Sequence, residues 1–154
     1  METWALVFYF LIIKGVYFMN NICPYLNNCP KYNIYYAHHQ WKYDTKIEEY
    51  ELDLIRKHFP TLLIFNPRTD IKPEETEEEV MNQCLDKVMD ADILIFSSVD
   101  GCVGKGVYTE VKKAEDAGKL VLYIYKNRLH TNYELHKNYE SDSTNRIYGF
   151  VEPV

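Results

Sequence analysis

The chemistry available to this sequence rests on one glutamate, two adjacent histidines, four cysteines and a loop containing glycine. Glu110 sits among Val107, Val111 and Ala114 at helical spacing, which turns its carboxylate at least partly inward. A carboxylate so placed can bind a ribose hydroxyl or attack an anomeric carbon. The plainer alternative is a surface Glu that compensates a helix dipole. The loop Ser97–Gly106 reads S-S-V-D-G-C-V-G-K-G. It is not a P-loop, because only two residues separate Gly101 from Gly104 and Gly106 follows Lys105 where Ser or Thr is needed. It is not a dinucleotide fingerprint either, since Thr109 stands where the last glycine belongs. What remains is a backbone that can approach a ligand closely at Gly104 and Gly106, with Ser98 near the loop's start.

His38 and His39 invite a metal reading, but no Cys or carboxylate lies at ligand spacing, so they read as surface or ligand-facing residues. Cys23 and Cys29 form a C-P-x4-C-P pair, wider than structural zinc pairs and without a second pair. Reduced thiols are the expectation for them, and neither a metal nor a cofactor is expected.

These residues need elements to hold them. Asn33–Ala37 reads as a first strand. Thr45 and Glu48 suggest a capping box that opens a helix running to about His58, with Ile47, Tyr50, Leu54 and Ile55 or His58 inward. Thr61–Phe65 is an apolar second strand, and Pro73 with Glu74–Glu79 opens a second helix. Ile93–Phe96 is a third strand, Val107–Ala117 a third helix stopped by Gly118, and Leu120–Tyr125 a fourth strand. Asn127–Asn145 is polar, and Arg146–Val151 is a candidate last strand.

Strands alternating with helices predict an α/β fold: a single doubly wound, mainly parallel sheet of about four or five strands with helices on both faces, flavodoxin- or Rossmann-like. In such sheets ligands bind outside the carboxyl ends of the strands, where the loops at residues 38–44, 66–73 and 97–106 emerge. The chain divides into an apolar, Cys-containing lead-in at 1–30, an α/β domain at 31–126 and a C-terminal extension at 127–154.

The 154 residues carry a net charge of −6, which repels a phosphate backbone and argues against nucleic acid as a partner. A small anionic ligand stays compatible with that charge. Tyrosine numbers 14, which is read as compositional bias rather than a functional array. The apolar run Trp4–Met19 is interrupted by Lys14 and lacks signal-peptide features. It reads as a membrane anchor, an extra buried element, or a stretch ahead of a natural start at Met19, with the last preferred. A cytoplasmic location follows, with membrane association through 4–19 as the alternative. A homo-oligomer stays open.

The order N-I-Y-Y-A, N-P, D-A-D-I-L-I-F and G-K-G-V-Y-T-E-V-K-K-A-E-D-A-G-K-L-V resembles the nucleoside 2-deoxyribosyltransferase-like superfamily over about Asn33–Tyr125. That group includes deoxyribosyltransferases and nucleotide N-glycoside hydrolases. The resemblance implies a nucleoside or nucleotide ligand, Glu110 as nucleophile, Tyr35 as an active-site tyrosine, and Asp92 as the aspartate opening the third strand. It also implies double displacement at C1′ without a metal. The sequence departs from the family where Cys84 occupies the usual position of a catalytic aspartate, with Asp86 close by. Glu110 follows Gly106 by four residues, whereas some members place the glutamate two residues after the glycine. A nucleotide-binding module without turnover and a membrane-tethered accessory protein are the competing functions.

Overall fold

The structure is a computed structural model that describes residues 33–71, 76–138 and 147–154. The lead-in at 1–30, with Trp4–Met19, Cys23 and Cys29, lies outside the described residues. Residues Lys31–Val154 form one compact unit.

The apolar runs become strands β1 (Ile34–Ala37), β2 (Ile64–Phe65), β3 (Ile93–Ser97) and β5 (Leu120–Tyr125). These four pair in parallel in the order β2-β1-β3-β5, and β6 (Arg128–His130) closes the sheet by pairing antiparallel with β5. The molecule is therefore mixed α/β with a five-stranded, mostly parallel sheet. Between these strands run helices α1 (Lys46–His58), α2 (Pro67–Asp70), α3 (Glu77–Asp90) and α4 (Lys105–Asp116). A second sheet joins β4 (Cys102–Val103), β8 (Gly149–Pro153) and β7 (Tyr133–Lys137) in the order β4-β8-β7.

Alternation along the strands divides the core. Tyr35, Ala37, Leu94, Phe96, Val121 and Tyr123 cluster with Cys84 and Val88 of α3 and with Val107, Val111 and Ala114 of α4. Full burial of one such aliphatic side chain stabilises by about 1.5–3 kcal/mol. The alternate residues Tyr36 and Ser97 instead meet Glu51 of α1.

The acidic residues Glu77–Glu79 do open α3, but its N-cap is Thr76, which the sequence reading did not single out. Thr76 and Glu79 form a reciprocal capping box at α3. Gly118, at φ +69°, turns the chain out of α4 in a conformation that side chains resist. At α1 only half the expected box forms. Thr45 Oγ1 accepts from the Glu48 amide at 3.4 Å, but the Glu48 carboxylate accepts from the Asp44 amide at 2.7 Å.

Three expectations are corrected. The buried face of α1 is Glu48, Glu51, Leu54 and Ile55, while Ile47 and Tyr50 are 57% and 50% exposed. Buried hydrogen-bond donors claim the two carboxylates and set the helix's rotation. The second strand shrinks to Ile64–Phe65 because Thr61–Leu63 is spent leaving α1. The stretch after Lys126 is knitted in: β6 pairs with β5, β8 pairs with β4, and Val151 joins the core cluster.

The glycine-containing loop is also more closed than its sequence suggests. Asp100 and Gly101, at φ 51° and 77°, form a two-residue hairpin turn, with reciprocal Val99–Cys102 backbone hydrogen bonds of 2.9 and 2.8 Å. Among the described residues no helix is long and apolar enough to cross a membrane.

Candidate functional site

Glu110 lies one turn and a half into α4, on the face that packs against β1 and β3, and is 5% exposed. The Tyr35 hydroxyl donates to Glu110 Oε1 at 2.7 Å. Period-two alternation on β1 sends Tyr35 towards α4, and 3.6-residue periodicity on α4 returns Glu110 to meet it. Cys84 of α3 completes the group and interacts with both. Phe65 stacks on the Tyr35 ring at 5.4 Å and fixes its direction.

Burial dominates the electrostatics here. It pushes the Glu110 carboxyl up to about 7, against the downward pull of hydrogen bonds from Tyr35 and Cys84. Burial and the Glu110 charge push the Cys84 thiol up to about 12. The Tyr35 hydroxyl is raised well above its usual range by burial first and Glu110 second. Burial, then Glu110 and Cys84, also push Tyr43 up to about 12, so Tyr43 belongs to the same neighbourhood. A carboxyl pushed up to about 7 can serve as acid or carboxylate near neutral pH, and a shift of this kind makes Glu110 a candidate functional residue.

A second polar layer lies beside it. Glu48 accepts from Asn66 Nδ2 at 3.0 Å and from the Asp44 amide, and contacts His38 Nε2 at 3.0 Å. Burial raises the Glu48 carboxyl, but those three partners together outweigh it and hold the group below the usual range. Burial lowers the His38 imidazole below its ordinary value. Its Nδ1 lies 3.3 Å from the Tyr36 carbonyl, so both ring nitrogens face acceptors and a neutral ring serves one.

Glu51 anchors a third group. It accepts from Lys42 Nζ at 2.6 Å, from Ser97 Oγ at 2.8 Å and from the Tyr36 hydroxyl. Lys42 also donates to Ser97 at 2.8 Å. Lys42 and Glu51 reach the wall of an open groove of about 700 Å³ that Trp41, Tyr50, Ser98 and Tyr125 also line. Glu110 is not among the groove's lining residues.

The residues expected from sequence are distributed unevenly. Tyr35 and Glu110 are brought together. His38 is buried in the neighbouring layer, whereas His39 caps the short turn at Gln40–Lys42 by accepting from the Trp41 amide. Ser98 hydrogen-bonds Tyr123 at 2.7 Å and lines the groove instead. Gly104 is the N-cap of α4 and Gly106 lies in its first turn, so both belong to a helix start rather than to a free loop. A Cβ on Gly106 would stand 3.4 Å from Met81 Cε, within reach of ordinary packing. Asp92 sits at the amino end of β3, where its carboxylate accepts from Asn33 at 3.3 Å, apart from the carboxyl ends of the strands. Sequence reasoning missed Tyr43, Lys42, Glu48 and Glu51; only Glu48 left a signal, as a capping residue.

The fold and site define a mixed α/β protein with a tyrosine–glutamate pair buried under its parallel sheet. No family model, curated protein or solved structure matches the chain.

Proposed function

We propose that this protein cleaves or transfers the N-glycosidic bond of a nucleoside or nucleotide through a covalent intermediate on Glu110. The observation that carries the proposal is the 2.7 Å hydrogen bond from Tyr35 to Glu110 Oε1 in a buried setting. The resemblance to the nucleoside 2-deoxyribosyltransferase-like superfamily assigns roles to these same two residues. We read the sheet as doubly wound, with α1 on one face and α3 and α4 on the other. That arrangement sets the loops after β1, β2 and β3 around one end.

In this reading Tyr35 orients the carboxylate, and a Glu110 oxygen attacks C1′ as the C1′–N bond breaks. The base leaves with the bonding pair and takes a proton from water. Water or a second base then attacks C1′ and releases Glu110 as carboxylate. A nucleophile held in a dry site loses little energy to solvent reorganisation.

The competing reading is a nucleotide-binding module without turnover. Cys84 favours it, since a thiol pushed up to about 12 gives up no proton at neutral pH. The deciding experiment is a screen of nucleosides and nucleoside monophosphates for free base, with wild type and Glu110→Gln. Turnover by wild type and a loss of more than about 5 kcal/mol of barrier stabilisation in the variant support the nucleophile. Turnover within about threefold in both removes Glu110 from that role. A nucleotide that raises the melting temperature without base release supports the binding module.

A further inference from the structure

We propose that the β7–β8 ladder carries a site for a divalent transition-metal ion of the zinc class, held by Glu134, His136 and Glu152. This inference is independent of the chemistry at Glu110. Glu134 and His136 are two residues apart on β7 and therefore share a face. Glu152 of β8 is the direct cross-strand partner of Glu134, which brings it to the same face. One ligand atom from each of the three residues lies within 4.8 Å of the others.

The separations are those of a ligand set. His136 Nε2 stands 3.4 Å from Glu134 Oε2 and 3.8 Å from Glu152 Oε2. Ligand atoms at tetrahedral corners, each bonded to zinc at about 2.0–2.2 Å, lie roughly 3.3–3.6 Å apart. A small inward movement therefore closes the set on one ion. His136 Nε2 is cut off from solvent although its side chain is 40% exposed, and it has no hydrogen bond of good geometry, only ion-pair contacts with the two carboxylates. A ring nitrogen set between two carboxylates places three potential ligand atoms around one point, and a cation there would be shared by all three.

Two further features point the same way. Like charges directly opposed in an antiparallel ladder destabilise it, and Glu134 and Glu152 are so opposed. A bound cation converts that repulsion into a cross-strand clip. The imidazole is also held in place: Phe150, the cross-strand partner of His136, stacks on its ring at 4.9 Å and 25°. One imidazole with two carboxylates selects zinc, cobalt, nickel or manganese over calcium, which takes oxygen ligands alone. Both glutamates are exposed, so the ion's remaining position is open to water.

The test uses the full chain, stripped with chelator and titrated with zinc chloride in a calorimeter. One ion per chain is expected. Removing a direct ligand should cost more than removing a residue that only orients one, so His136→Ala and Glu152→Gln should each weaken binding by more than about 100-fold. Glu152 is exposed, so its variant folds whether or not the His136 variant does. Cobalt substituted for zinc should give a tetrahedral spectrum without thiolate charge transfer, which separates this site from the cysteines. The pair Glu134→Gln with Glu152→Gln should be at least as stable as wild type without metal, yet gain nothing from zinc. Equal zinc binding by wild type and Glu152→Gln, a thiolate spectrum, or no binding would each overturn the proposal.

Discussion

Tyr35 and Glu110, 75 residues apart in sequence, share a 2.7 Å hydrogen bond beneath the parallel sheet. The tyrosine is the group that pulls hardest against burial on the glutamate. Tyr35→Phe should therefore move the Glu110 carboxyl further above about 7. The acid limb of the pH–rate profile should shift to higher pH. The variant should also lose about 1–3 kcal/mol of stability at pH 8, where an ionised Glu110 has lost its donor. An unmoved limb would show that the bond does not form in solution.

The raised Glu110 carboxyl also makes a stability prediction. Its folded value is about 7 against an ordinary 4.5, so between those values the folded state holds a proton that the unfolded state has lost. Stability contributed by this group is present below about pH 4.5 and falls as pH rises towards 7. Glu110→Gln has no such term. Relative to the variant, wild type should lose up to about 3 kcal/mol between pH 4.5 and pH 8. Urea midpoints of both proteins at the two pH values measure it, and a difference independent of pH would refute it.

Glu51 neutralises a buried lysine, so Glu51→Ala should strand Lys42. Breaking a buried pair from one side costs about 3–5 kcal/mol. Lys42→Met should cost less, because Glu51 keeps its hydrogen bonds from Tyr36 and Ser97. Denaturant unfolding of the two variants orders them. The reverse order would mean that Lys42 finds water.

Gly149 is required by space. A Cβ there would stand 2.5 Å from the His136 carbonyl oxygen, which is backbone of the paired strand. Gly149→Ala should push β8 from β7 and cost on the order of 1–3 kcal/mol. Full stability in this variant would contradict the pairing register.

What the sequence made legible was mostly apolar. Ile93–Phe96 and Leu120–Tyr125 read as buried strands because both faces of a parallel sheet are covered, and they are strands in the structure. The α1 helix shows where that reading stops. Its inner face is half carboxylate, and hydrophobic periodicity counts Glu48 and Glu51 as solvent-facing. Nothing local announces that Lys42 or Tyr36 will meet Glu51, because those contacts exist only once strand and helix are packed. Tyr133–Lys137 alternates correctly for a strand, but its inward residues Tyr133 and Leu135 are too few to stand out from the polar stretch around them. The grouping of Glu134, His136 and Glu152 depends on a cross-strand register that no spacing encodes.

The pairing of β4 with β8 ties a late strand to the start of the Glu110 helix. Cys102 and Val103 are matched to Phe150 and Gly149, and α4 begins two residues after β4. The start of the Glu110 helix is therefore held by a strand from far along the chain, much as β1 is held by β3. The helix that carries the carboxylate is thus pinned at its start by β8, so loosening β8 should loosen the approach to Glu110 as well.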